Sequence, residues 1–184
     1  MQGSLFGTEI VLDLETQKSF DEVGGRHNLE ALKVFVAGVY DYGKDQYLVF
    51  EEQELPRCEE LLKTAVKIIG FNIIGFDFRV LAPYMKTLST SQLPALDIMK
   101  EIERKVGHRV SLDSVATATL GTKKTGHGLD ALKYFRDGNM AALKEYCLQD
   151  VKLTKELYDH GRQHRRLSYY SKSGALMTVP LDWS

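Results

Sequence analysis

Residues 10–15 read Ile-Val-Leu-Asp-Leu-Glu. An uninterrupted apolar run of strand length, closed by two carboxylates, constrains the fold more than anything else in the chain. The run suits a buried central strand of a layered α/β domain. Side chains alternate along a strand, so Asp13 and Glu15 project from the same face. Two like charges at the tip of an apolar strand are unfavourable unless a cation neutralises them or one carboxyl holds a proton. A hard divalent ion such as Mg²⁺, which takes oxygen ligands and uses only one or two carboxylates beside water and phosphate, accounts for them. Asp-x-Glu alone is weak, because many surface turns contain it.

The rest of the chain fits around that strand. The apolar stretch at 31–40 and the β-rich run at 46–50, separated by Gly43-Lys44-Asp45, predict a hairpin. The first three strands are therefore expected to be sequential and largely antiparallel. Helical spacing at 54–65 precedes a return to strand character at 67–71, and a further helix is expected at 76–84, ended near Pro83. Leu96-Asp97-Ile98 reads as a short strand leading into a helix at 99–106. The C-terminal half is helical at 111–120, 128–135 and 140–163, punctuated by Gly121, Gly126 and Gly138. Residues 16–30 read as a loop, and 167–183 as a hairpin turning at Lys172-Ser173-Gly174. The expectation is a single α/β domain over 1–184, with a mixed central sheet flanked by helices and a hairpin extension at 167–184.

Two further elements carry candidate chemistry. Residues 70–77 end a strand, turn, and deliver Asp77 to the start of a helix, where a carboxylate also suits the helix dipole. N-terminal capping is the bland alternative for Asp77, and turn formation for Asn72. Within the last long helix, Tyr146 and Asp150 are four residues apart and share a face. Asp150 has a bland reading too, as a partner for Lys144, Lys152 or Lys155.

Taken together, Asp13-Leu14-Glu15-Thr16, Asn72 with Phe76-Asp77, and Tyr146 with Asp150 resemble the motifs of the DnaQ-like proofreading exonucleases. That family has a ribonuclease-H-like fold, and the tyrosine identifies its DEDDy branch; the histidine branch would need His where this chain has Glu145. The likeness extends through Leu96-Asp97-Ile98, Leu112-Asp113-Ser114-Val115-Ala116 and Leu120-Gly121, and so over most of residues 9–160. The nearest resemblance is to bacterial ribonuclease-H-like domains that occur alone or beside helicases. Cys147 departs from polymerase-type relatives, which often have Asn after the tyrosine.

The resemblance implies a 3′–5′ exonuclease with two divalent ions, Mg²⁺ or Mn²⁺. It implies Asp13 as the shared ligand, Glu15 and Asp150 on the ion beside the attacking water, Asp77 on the other, and Tyr146 orienting the water. Thr16 and the Leu14 backbone would meet the terminal nucleotide, with Asn72 and Phe76 shaping its pocket. Lys123, Lys124 and His127 lie on a loop expected to contact the phosphate backbone. Single-stranded nucleic acid with a free 3′ end is the expected substrate, DNA ahead of RNA, with a helicase or polymerase as partner.

Composition limits the alternatives. A net charge of −1 argues against bulk electrostatic coating of nucleic acid and leaves room only for local basic patches, such as 162–166. No membrane span or secretory signal is read, so a cytoplasmic location is the default. Cys58 and Cys147 have no metal-type spacing and read as reduced, packed thiols; His27, His108, His160 and His164 read as surface or satisfied residues. A catalytically silent binding module and an internal-cutting nuclease stay open as rivals.

Overall fold

The structure, a computed structural model, describes residues 7–122 and 128–183. Strand β1 (Thr8–Thr16) lies at the centre of a five-stranded sheet. On one side it pairs antiparallel with β2 (Val34–Asp41), which pairs antiparallel with β3 (Gln46–Glu51). On the other it runs parallel to β4 (Ala65–Gly70), which is followed in parallel by β5 (Ala95–Asp97). The order β3-β2-β1-β4-β5 is the mixed sheet that the sequence predicts, three antiparallel strands first and parallel strands after.

Alternation along β1 divides the core. Ile10, Leu12 and Leu14 join one apolar cluster with Leu55, Cys58 and Leu62 of helix α1 (Leu55–Lys63) and Phe78, Val80 and Leu81 of α2 (Asp77–Leu81). Val11 faces the other way, into a cluster with Ile98 and Ile102 of α3 (Ile98–Val106), Val115 and Ala116 of α4 (Leu112–Leu120), and Val151, Leu157 and Tyr158 of α6 (Met140–His164). Asp13 and Glu15 have the parity of Val11, so β1 presents them to α6. Helix α5 (Gly128–Arg136) packs beside α6, with Ala131 against Leu143 and Cys147.

Two expectations need adjusting. Residues 16–30 are not all loop: 3-10 turns form at Asp21–Val23 and Leu29–Leu32, and Leu29 and Leu32 are buried in the α1/α2-side core. Those leucines, with Lys33 at φ 57°, delay the start of the second strand to Val34. The helix at 76–84 is α2 followed by a 3-10 turn at Ala82–Tyr84, as Pro83 lacks the N–H that an α-helix needs.

The C-terminal hairpin, β6 (Arg166–Tyr170) and β7 (Leu176–Pro180), packs into the α6-side core through Leu167, Tyr169, Val179 and Leu181. The outer edge of β6 is closed by side chains of α4. Thr119 Oγ1 accepts from Ser168 N–H and donates to its carbonyl, and Ser114 Oγ does the same for Tyr170. Such pairing protects an edge strand from a foreign strand. Trp183, the only tryptophan, stacks on Tyr158 and fills a notch at Gly161, where a Cβ would lie 2.3 Å from its ring. Its fluorescence is therefore a reporter of tail docking.

Candidate active site

Strands β1 and β4 part company before β1 ends. Their register runs only from Thr8–Ala65 to Val11–Ile69, so the second half of β1 keeps its partner β2 but has an open edge toward β4. Crevices at the carboxyl ends of parallel strands are the usual ligand sites of α/β sheets. Here the crevice is a cleft of about 390 Å³, lined by Asp13, Leu14, Glu15, Thr16, Phe76, Asp77, Tyr146 and Asp150 among others.

One carboxylate oxygen from each of Asp13, Glu15 and Asp150 lies within 4.8 Å of the other two. The first two come from β1 and the third from α6, more than a hundred residues later. Asp150 is 4% exposed, and the lysines that might have held it on a solvated face pair elsewhere: Lys144 with Glu51, Lys152 with Glu156, and Lys155 with Asp159. Every donor in the set is a carboxylate oxygen, which suits a hard cation and not a thiophilic one.

Asp77 opens α2 and is 3% exposed. Its Oδ1 accepts the Leu14 N–H at 3.2 Å, on the stretch of β1 that β4 leaves unpaired. Burial drives its carboxyl far above the ordinary carboxylate range, helped by the charges of Asp97 and Asp150 and opposed by the backbone N–H groups of Asp77 and Leu14. Asp77 thus shares the cleft but stands outside the group of three. That bond engages the Leu14 N–H, while the Leu14 side chain is buried in the α1/α2-side core.

The turn that delivers Asp77 is held from β5. Asp97, buried, accepts from the N–H groups of Asn72 (2.9 Å), Ile74 (3.1 Å) and Lys100 (3.2 Å), so one carboxylate fixes the turn and caps α3. Asn72 adopts φ 66°, and its Oδ1 accepts from Arg109 at 2.7 Å. It is a turn residue outside the cleft lining, whereas Phe71 beside it lines the cleft. Asp97→Ala strips three backbone donors of a charged acceptor and is expected to cost about 3 kcal/mol or more. Urea unfolding followed by Trp183 fluorescence measures the loss, and a change under 1 kcal/mol would show that the turn holds itself.

Thr16 and Phe76 line the cleft; Thr16 Oγ1 donates to the Lys18 carbonyl at 3.0 Å. Lys123, Lys124 and His127 lie outside the described residues. The sequence reading missed Phe20, which meets Phe76 edge-on at 6.1 Å, and Leu132 of α5, both on the cleft wall. Phe20 stands in an aperiodic stretch, where no pattern distinguishes a wall residue from any other loop aromatic. His27, His108, His160 and His164 are absent from the lining. Both cysteines are buried free thiols, and burial, with the charges of Asp13, Glu15 and Asp150, pushes the Cys147 thiol up. No described helix is long and apolar enough to cross a membrane.

No curated protein matches the chain significantly. A family model described as the RNase H superfamily matches residues 12–161, from the middle of β1 to near the end of α6, and stops short of the hairpin. This fold is commonly that of a hydrolytic nuclease, and it typically uses divalent metals. Because the match takes in most of the chain and every element that carries a carboxylate of the cleft, the chain belongs to the RNase H superfamily.

Proposed function

We propose that this protein is a metal-dependent exonuclease that hydrolyses single-stranded nucleic acid from its 3′ end, with DNA preferred to RNA. The observation that carries the reading is the convergence of Asp13, Glu15 and Asp150 within 4.8 Å, in a cleft that Asp77 and Tyr146 also line. Three carboxylates at that spacing repel one another, and a cation between them turns the repulsion into binding energy. A cation would likewise favour the ionised form of Asp77, which burial opposes. Asp13, Glu15 and Asp150 would hold Mg²⁺ or Mn²⁺ there, and Asp77 with Asp13 would hold a second such ion. Bound there, the ions would supply activation of water and neutralisation of charge on the phosphoryl and leaving oxygens.

The chain's own groups supply the rest. Tyr146, on α6 one turn before Asp150 and on the cleft lining, would orient the attacking water through its hydroxyl and take part in removing its proton. Phe20, Phe71, Phe76 and Leu132 give the cleft an apolar wall against which a terminal base would pack, and Thr16, also on the lining, would meet the terminal nucleotide. Near-neutral overall charge leaves little surface for melting a duplex, which favours single-stranded ends and a helicase or polymerase partner to present them.

The test is a time course on 5′-labelled single-stranded DNA and RNA with Mg²⁺ or Mn²⁺, alongside chelator and Asp13→Ala controls. The expected result is a ladder that shortens one nucleotide at a time and is abolished by both controls. Internal cuts would replace the exonuclease with an endonuclease. Intact substrate that is nonetheless bound would make the protein a silent binding module.

A further inference from the structure

Gly38 sits in the middle of β2, where glycine weakens a strand by roughly 0.5–1 kcal/mol relative to alanine. Glycine inside a strand often marks a close approach by another backbone. Gly38 is the direct cross-strand partner of Asp13, so a side chain there would project from the face that carries Asp13. That face is covered by α6. A Cβ on Gly38 would lie 2.8 Å from Cys147 Sγ and 2.9 Å from Val151 Cγ2, both nearer than real Cβ contacts allow. Cys147 follows Tyr146 and Val151 follows Asp150, so α6 rests on the bare strand through the immediate neighbours of the two residues it brings to the cleft. The Cys147 thiol meets the Asp13 carbonyl at 3.7 Å, and Cys147 and Val151 are fully buried.

We propose that Gly38 is a positioning residue: by carrying no side chain it lets α6 settle against β1 closely enough for Asp150 to join Asp13 and Glu15 as one cation-binding group. The inference rests on the proposed reading for the purpose of that group, but its content is a metal affinity. A single added methyl lifts the helix at Cys147 and Val151, and Asp150 moves away from the strand carboxylates with it. Removing Sγ and the Val151 methyls restores the space.

Mn²⁺ binding by the full chain, followed by electron paramagnetic resonance, tests this in a double-mutant cycle. The four proteins are the unaltered chain, Gly38→Ala, the Cys147→Ala/Val151→Ala background, and Gly38→Ala in that background, with Trp183 fluorescence reporting unfolding of each. Gly38→Ala is expected to weaken Mn²⁺ binding about tenfold or more in the unaltered chain, the scale of losses when support around a metal site is disturbed. In the background with space it is expected to change binding less than about threefold, and that triple variant is expected to fold even if Gly38→Ala alone does not. Equal loss in both backgrounds, no loss in either, a triple variant that fails to fold, or no Mn²⁺ binding by the unaltered chain would each overturn the inference. The nuclease time course on the same samples separates the two ideas. Mn²⁺ bound by an unaltered chain that shortens no substrate defeats the exonuclease reading and leaves the role of Gly38 to be decided by the affinities.

Discussion

Asp150→Asn is expected to lower nucleotide release by about a thousandfold or more while raising the stability of the metal-free protein. The first half follows from the proposed reading: Asp150 is the member of the close carboxylate group supplied by α6, and losing a cation ligand there would remove several kcal/mol of charge stabilisation, each 1.36 kcal/mol being tenfold in rate. The second half follows from the same geometry without metal. A neutral group of equal shape in place of a carboxylate that lies within 4.8 Å of two others relieves crowding of like groups, so folding is expected to gain on the order of 1 kcal/mol. For a chain of this length that is roughly 2–4 °C in Tm. Activity assays and Trp183-monitored melting in chelator read the two effects. A variant that loses both activity and stability would make Asp150 a structural aspartate and remove the main support for a metal site.

Tyr146→Phe removes one oxygen atom and leaves the ring in its apolar cluster with Val36, Ala131, Leu143 and Cys147. If the hydroxyl orients the attacking water, kcat falls by about 10²–10⁴, the range of general acid–base contributions, while binding of a single-stranded oligonucleotide stays within about twofold. Single-turnover rates with Mn²⁺, set beside anisotropy of the same oligonucleotide in chelator, make the comparison. A proportional loss of rate and binding would assign Tyr146 to holding substrate.

How much of this is legible in the sequence depends on the range over which each signal acts. Alternation along β1 is local, so the common face of Asp13 and Glu15 follows from two positions of spacing. The i, i+4 spacing of Tyr146 and Asp150 is equally local. What brings the two pairs together is not: it depends on α6 lying against β1 and β2, and the feature that permits it, the missing side chain of Gly38, has no meaning until Cys147 is seen above it. Asp77 shows the limit in another way. Its place at a helix start is readable, but its engagement with the Leu14 N–H exists only because β4 ends its register at Val11 and frees that donor. The role of Asp97 was hidden for the same reason, since its three N–H partners lie on two separate segments. The final hairpin was legible as a turn between two β-rich runs, yet nothing in its alternation says that Tyr170, Leu176 and Met177 stay exposed while Val179 and Leu181 are buried against α3, α4 and α6.

The most direct test of the central claim is the identity of the first product made in ¹⁸O-labelled water with Mg²⁺ from linear and from circular single-stranded DNA of one sequence. The account predicts nucleoside 5′-monophosphates carrying one ¹⁸O on phosphorus from the linear strand, and none from the circle. Oligonucleotides from the circle, nucleoside 3′-monophosphates, or no release from either would contradict it.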